Sequence, residues 1–293
     1  MKTKLFIVCA LLISSVVLFF SCDKVDAPYM VVTDVSDCPV PVFPDIATPE
    51  KTLLIEEFTG HKCVYCPTGA HYIHLIQQQA YGSRVVALAI HSGGLSEPEP
   101  GNYDLDLRPG TFGEELYAYF GSPSQPRAGF NREKLDGSNV FYGTPATWQT
   151  KAEQVLAQSP VMTLQIINNY DSASRKLCSH VKSKFLSANT QNLKIALFVS
   201  EDSITGYQLN NNNTVGTTPE IENYVFMDVM RDAFVGSFGE VLTSGGVAMD
   251  SAVVRTYKKI LDPAWNDKHC KVVAYVYDTD NGVILQAAEE KVY

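Results

Sequence analysis

The sequence predicts two structural units, an α/β domain over residues 51–159 and an all-β antiparallel sandwich over residues 160–293. Three observations support this prediction. In the first range, apolar strand-like runs alternate with amphipathic helical segments, which is the pattern of an α/β domain. In the second range, short segments alternate polar and apolar residues at period two, with no long helix between them. A Cys-x-x-Cys pair, Cys63 and Cys66, stands where the first strand turns into the first helix.

The predicted α/β unit alternates strands and helices along the chain. We expect strands at residues 53–58, 84–90 and 127–131, and helices at residues 68–81, 112–120 and 145–157. The continuous apolar run at 84–90 is typical of a strand that is buried on both faces of a parallel sheet. A Gly- and Pro-rich insertion at about 92–111 separates that strand from the second helix.

The predicted β unit contains at least five strands, at residues 162–167, 177–182, 193–199, 271–277 and 282–289. The turn sequence at 278–281 predicts that the last two strands form a hairpin. Such a series of strands is typical of an antiparallel sandwich of the immunoglobulin-like kind. Cys178 and Cys270 both fall on predicted strands of this unit, and we expect either a structural disulfide between them or two buried free thiols. Residues 210–213 are interpreted as a polar loop.

The N-terminal residues have the pattern of an export signal. Lys2 and Lys4 precede an apolar run, and we assign residues 1–21 as a signal peptide because the run is short for a membrane span of about 20 residues. The serine and cysteine that end the run resemble a bacterial lipobox, which implies lipid attachment at Cys22. An ordinary signal peptide is the alternative. Residues 22–50 contain five prolines and are then a lipidated tether.

The charge of the chain argues against nucleic acid as a partner. The formal net charge is -9, and loss of Lys2 and Lys4 with the signal peptide subtracts two positive charges to give -11. Such a protein repels phosphate backbones and anionic lipid headgroups. We therefore expect it to meet the membrane through its lipid anchor. The sequence does not indicate an oligomeric state.

The spacing of the cysteines argues against a zinc site. Such sites normally need a second ligand pair at similar spacing, and the other five of the seven cysteines stand apart. A Cys2His2 site that uses His61, His71 or His74 is the alternative. We expect neither a metal nor a cofactor.

Cys63 is the predicted nucleophile of a redox pair. Amides and the dipole at the start of a helix favour a thiolate there, and His61 and Lys62 lie beside it. Cys63 is expected to be the more exposed cysteine, with Cys66 as the resolving partner one turn later. The alternative is a static disulfide, which an exported protein can keep without any turnover.

Residues 50–158 resemble the thioredoxin superfamily. Glu57 stands six positions before Cys63, where that family buries an acidic residue. Gly121 and Pro126 match the Gly-x-x-x-x-Pro approach to its cis-proline. The dipeptide between the two cysteines and the insertion at about 92–111 depart from the family pattern.

The resemblance implies roles for two residues beside the cysteines. Pro126, after a cis bond from Gln125, would form the substrate-facing wall. Cis X-Pro bonds are uncommon in folded proteins, so a cis bond here would be a specific feature of the site. Glu57 would relay protons to Cys66. The alternative is that Glu57 lies on the surface and Glu56 points inward. His91 ends a predicted parallel strand and is either near the cysteines or a polar strand-end residue.

The layout of the whole chain resembles the 28-kDa outer-membrane protein (Omp28-related) family of Bacteroides-type bacteria. The resemblance rests on the lipobox, on residues 57–60 with the Cys-x-Tyr-Cys-Pro motif at 63–67, and on the C-terminal runs at 272–278 and 283–287. It implies a lipid-anchored protein of the cell envelope, at the outer membrane.

Two functions remain open from the sequence. One is thiol–disulfide exchange with exported or surface proteins through a mixed disulfide. The other is binding or adhesion by a non-catalytic surface lipoprotein that keeps a structural disulfide. Because a fold does not establish a reaction, the sequence leaves undecided whether the protein is an enzyme.

Overall fold

The computed structural model describes residues 37–293. The predicted signal peptide, Cys22 and the first part of the tether lie outside the described residues. The strands are β1 (Leu53–Thr59), β2 (Val85–His91), β3 (Arg127–Phe130), β4 (Phe141–Tyr142), β5 (Met162–Asp171), β6 (Lys176–Phe185), β7 (Leu193–Glu201), β8 (Ile204–Leu209), β9 (Glu220–Phe226), β10 (Val229–Ala233), β11 (Glu240–Thr243), β12 (Ala252–Ile260), β13 (Cys270–Asp278) and β14 (Ile284–Lys291). The α-helices are α1 (Cys66–Gln77), α2 (Thr111–Tyr119) and α3 (Trp148–Leu156). A β-rich fold is therefore confirmed.

One nine-stranded sheet contains strands from both predicted units. Its order is β14-β13-β7-β10-β2-β1-β3-β4, with β11 paired to β7. β1 and β2 are parallel, and β10 adds to β2 in parallel where Val229 lies opposite Ala89. The two halves of the chain thus share backbone hydrogen bonds across the predicted boundary at residue 159. That boundary stays a prediction.

A smaller antiparallel sheet, in the order β12-β6-β5, packs against the C-terminal part of the large sheet. Side chains alternate along each strand, so that one face of each sheet enters the shared core. The core includes Met162, Leu164, Ile166, Leu177, Val181, Phe185, Leu193, Ile195, Leu197, Val199, Val272, Ala274 and Val276. β8 and β9 form a separate two-stranded hairpin.

The disulfide of this region joins Cys178 to Cys38, so the alternative of a Cys178–Cys270 disulfide is wrong, and that of a buried free thiol holds for Cys270 alone. The alternation of side chains along β6 explains the difference. Leu177 and Val181 belong to the core between the sheets, whereas Cys178, one position out of phase, faces away from it. Cys270 belongs to that core and is a buried free thiol. Burial raises the pKa of its thiol to about 12.

The N-terminal arm crosses the outward face of the small sheet, which is how Cys38 reaches Cys178. The two Cα atoms are 5.7 Å apart. Farther along the arm, Gln165 of β5 donates a hydrogen bond from Nε2 to the carbonyl oxygen of Pro44 at 2.8 Å. The disulfide closes a loop of 140 residues and ties the arm to the β-rich half of the chain.

The helices cover both faces of β1 and β2. α1 and α3 pack on one face around the fully buried Trp148, in a cluster that includes Leu53 and Ile55. α2 packs on the other face, where Leu54 and Phe58 lie. Odd-numbered residues of β1 therefore face α1, and even-numbered residues face α2. None of the helices between residues 37 and 293 has the length and apolar character needed to span a membrane.

Candidate functional site

Cys63 and Cys66 form a disulfide in the turn that joins β1 to α1. β1 ends at Thr59 and α1 begins at Cys66, with Pro67 in its first turn, where a missing N–H does not weaken the helix. The amide of Cys66 donates a hydrogen bond to the carbonyl oxygen of Cys63 at 3.2 Å. The structure thus places the pair at a strand–helix junction.

Glu57 lies on the face of β1 that carries α1, and it is almost completely buried. It sits against Gly69, where an added Cβ would overlap the Oε1 atom of Glu57. That oxygen has no hydrogen-bond partner among the described residues. Burial, and then the negative charge of Asp228, raise the pKa of Glu57 to about 8. The side chain is therefore mainly protonated at neutral pH.

Glu56 is buried on the opposite face of the same strand. The guanidinium of Arg132 donates two hydrogen bonds to its carboxylate, from Nε at 2.7 Å and from Nη2 at 2.6 Å. Nη2 of Arg132 also donates to the hydroxyl of Tyr275 at 2.7 Å. Both glutamates are therefore buried, and the alternative that Glu57 lies on the surface is wrong.

Pro126 follows a cis peptide bond from Gln125 and is buried. A Cβ built on Gly69 would lie 3.0 Å from the Cβ of Pro126. The proline therefore packs against the first turns of α1, on the side of the helix where Glu57 also lies. The structure brings together the four residues that the sequence singled out for this site.

Neither cysteine is exposed, so the expectation that Cys63 is the more accessible one stays a prediction. Cys63 is 3% exposed and Cys66 is 2% exposed. Residues at the end of β8 cover the turn, where the amides of Leu209 and Asn211 donate hydrogen bonds to the carbonyl oxygens of His61 and Val64. Sequence reasoning missed this cover because 210–213 has only the composition of a polar loop, which does not indicate what the loop contacts.

A cavity of about 560 Å³ lies between α1 and the β8–β9 hairpin. Glu57, Cys66 and His91 all line this cavity, so His91 shares it with one cysteine of the pair. Burial lowers the pKa of His91 to about 3, and its Nδ1 atom has no partner among the described residues. The rest of the lining is formed by Thr59, Pro67, Ala70, His71, Ile73, His74, Gln77, Gln78, Ala87, Leu88, Ala89, Asp202, Gln208, Val215, Tyr224, Val225, Phe226, Met227, Asp228 and Lys271.

Three charged residues that line this cavity are paired with one another. The ammonium group of Lys271 donates to Asp228 at 2.6 Å and lies 3.1 Å from Asp202. Gln77 of α1 donates to the same Asp228 carboxylate at 3.3 Å. In the part of the chain that the structure describes, no group of three or more His, Cys, Asp or Glu side chains is arranged to hold a metal ion.

Comparisons with known proteins show which family and which solved structures this chain is similar to. The model of the family described as Outer membrane protein Omp28 matches residues 113–293. A solved structure, HBP35 of Porphyromonas gingivalis, is similar with a TM-score of 0.64 and 18% identity over 84% of this chain and 76% of that chain, which shows a shared fold. A domain of the outer membrane lipoprotein Omp28 from Porphyromonas gingivalis gives a TM-score of 0.31 and 16% identity over 45% of this chain and 88% of that chain. No curated protein sequence matches the chain.

Proposed function

The chain belongs to the Omp28 outer membrane protein family. From the geometry around the cysteine pair we propose that it is a thioredoxin-like protein that exchanges disulfides with exported or surface proteins. The expected location at the outer membrane is confirmed by the family. One observation supports the chemistry most strongly. The Cys63–Cys66 disulfide stands at the start of a helix, beside a buried Glu57 and the cis-proline Pro126.

The arrangement around the disulfide supports a thioredoxin-like description of the first half of the chain. β1 and β2 are parallel, β3 pairs with β1 in the antiparallel direction, and helices lie on both faces. The cis-proline immediately precedes β3. Residues that are distant in sequence are thereby held beside one disulfide, as exchange chemistry requires.

In the proposed reaction, a thiolate of a partner protein attacks the Sγ atom of Cys63. The Cys63–Cys66 bond breaks, a mixed disulfide forms, and Cys66 leaves as a thiolate that takes up one proton. A second partner thiolate then attacks the partner's own sulfur in the mixed disulfide and releases Cys63 as a thiolate, which takes up the second proton. The partner gains a disulfide and the motif gains two thiols, so that two electrons pass from partner to motif. The reverse steps reduce a partner, and relative reduction potentials set the direction.

Glu57 is suited to supply the proton that Cys66 needs. Both residues line the same cavity. With a pKa near 8, the carboxyl group holds a proton at neutral pH and can also release it in the reverse direction. Its role is to hold and move a proton beneath the disulfide, while Pro126 forms part of the wall beside it.

We expect Cys66→Ala to trap partner proteins on Cys63 in the reducing direction, in which the Cys63 thiolate attacks a partner disulfide, because the Cys66 thiol that would then release the partner is missing. The adducts should be visible on non-reducing gels of cell-envelope fractions and identified by mass spectrometry. Pro126→Thr in the same background should change their lifetime. The purified wild-type protein should also turn over insulin or a model disulfide.

The control for trapping is the double variant Cys63→Ala/Cys66→Ala, in which the adducts should vanish. If Cys66→Ala is folded and exported but carries no adduct above the level of this control, the exchange function is wrong. The second candidate function, a binding or adhesion protein with a structural disulfide, would then be preferred. The burial of both cysteines is the observation that favours it.

We also propose lipid attachment at Cys22, on the basis of the lipobox-like sequence at that position. We expect Cys22→Ala to abolish labelling by a radioactive fatty acid and to release the protein from the membrane fraction. Cys38→Ala is the matched control, since it removes a cysteine of the arm and should keep the label. Equal labelling of Cys22→Ala and wild type would contradict the anchor.

A further inference from the structure

We propose that the turn at residues 60–65 is a docking edge for an extended polypeptide, and that the chain's own segment 208–212 occupies this edge as an internal competitor. The inference rests on the proposed function for one point only, that the partner polypeptide brings a cysteine to the motif. The docking edge itself is argued from hydrogen bonds that involve no redox chemistry.

Two backbone hydrogen bonds join the segment to the turn. The amide of Leu209 donates to the carbonyl oxygen of His61 at 2.9 Å, and the amide of Asn211 donates to that of Val64 at 3.1 Å. Alternate N–H groups of an extended chain point to the same side, so residues 209 and 211 bind as an added strand does. These two hydrogen bonds use only backbone atoms of the segment. The edge therefore fits extended polypeptide in general.

Side chains of the same segment extend the cover over the disulfide. Gln208 is 2% exposed, and its Nε2 atom donates to the carbonyl oxygens of Cys63 at 3.0 Å and of Gly60 at 3.4 Å. Asn212 donates from Nδ2 to the hydroxyl of Thr68 in α1 at 3.1 Å. With the segment in place, a partner protein cannot approach the sulfur of Cys63.

Few buried apolar contacts hold the hairpin that carries this segment. β8 and β9 pair only with each other among the described strands, and the cavity of about 560 Å³ lies between them and α1. The apolar cluster beneath the hairpin has only Leu107, Phe226 and Val229 as fully buried members. Regions with few buried apolar contacts open at a low free-energy cost.

Contacts with the insertion before α2 also hold the hairpin, at the end where the segment lies. The hydroxyl of Tyr103, in the insertion before α2, donates to Glu220 at 2.5 Å, and the Tyr103 ring packs against Tyr207. Glu220 lies opposite Leu209 in the β8–β9 register, so the insertion at 92–111 holds the turn end of the hairpin, next to the segment. Because Gln208 and Leu209 belong to β8, displacement of the segment from the turn requires this end of the hairpin to move with it.

The first test measures access to Cys63 in the reduced full-length protein with a maleimide that carries a large polyethylene glycol. We expect Gln208→Ala to raise the rate of labelling at Cys63 about tenfold, since two hydrogen bonds to the turn are lost. Asn211→Pro removes one backbone donor at an exposed position and should act in the same direction. Asn223→Ala, on the exposed face of β9, is the matched control and should leave the rate unchanged. Equal rates in all four proteins would overturn the proposal.

The second test measures docking without thiol chemistry, in a Cys63→Ser/Cys66→Ser background. A synthetic peptide with the sequence of residues 206–213 should bind about tenfold more tightly when Gln208→Ala is also present, because the internal competitor is weakened. A peptide of scrambled sequence should also bind, since the edge recognises backbone, whereas a peptide with N-methylated amides should not. Binding that is absent from all variants, or unaffected by Gln208→Ala, would overturn the docking edge even if mixed disulfides are trapped. Docking without any trapped adduct would contradict the proposed exchange function alone.

Discussion

The free energy of unfolding is expected to fall by about 4–5 kcal/mol through Glu57 alone as the pH rises from about 4.5 to 8. The pKa of Glu57 is raised from its ordinary value of 4.5 to about 8 in the folded protein. Between these two values the folded state holds a proton that the unfolded state has lost. The contribution is therefore fully present at pH below 4.5 and is lost as the pH rises through 8.

Glu57→Gln should remove most of this pH dependence, because the amide has a similar size and does not titrate. The comparison is made by urea unfolding of wild type and variant at several pH values between 4.5 and 8.5. Asp228 and His91 also titrate near this cavity, so the difference between the two proteins isolates Glu57. Glu222→Gln, at an exposed position of β9, is the matched control. Parallel stability profiles for Glu57→Gln and wild type would show that the carboxyl group is ionised normally.

Arg132→Met should lower the free energy of unfolding by about 3–5 kcal/mol, because it leaves the carboxylate of Glu56 buried without its partner. Glu56 is 1% exposed, and the guanidinium of Arg132 is the group that neutralises it. The guanidinium also lies over the rings of Phe120 at 5.1 Å, Tyr275 at 5.0 Å and Tyr277 at 5.5 Å. The variant loses these cation–π contacts as well.

The double variant Glu56→Leu/Arg132→Met separates charge burial from packing. Replacement of both partners by apolar side chains removes the uncompensated charge, so we expect it to be more stable than Arg132→Met alone. Thermal and urea unfolding of the three proteins measure the difference. A loss below about 1 kcal/mol for the single variant would mean that water or a rearranged side chain satisfies Glu56.

The sequence alone was enough for features that depend on neighbouring residues. The apolar run of β2 and a helix after the cysteine motif, expected at 68–81 and found at Cys66–Gln77, were predictable because strand and helix periodicities are local. The spacing from Glu57 to Cys63 and the approach to Pro126 pointed to the residues of the site because they follow from a family pattern of fixed intervals. The closing hairpin of β13 and β14 was recognisable from its turn residues.

Other features were decided by contacts between residues far apart in the chain. The partner of Cys178 is Cys38, 140 positions away, because β6 turns that side chain outward to the side where the arm crosses. The sequence could not show this, since it leaves open which element covers which face of a sheet. The pairing of β10 with β2, which merges both halves into one sheet, is equally non-local.

The cysteine pair shows most clearly which features the sequence determined and which the tertiary structure decided. The motif and its position at a strand–helix junction were determined by the sequence, because a few adjacent residues set the turn and the start of α1. The cover over that motif was decided only by the tertiary structure, since Leu209 and Asn211 lie more than 140 positions away and bind through their backbone amides. Every residue except proline has such an amide, so the composition of that segment gave no signal of what it would contact.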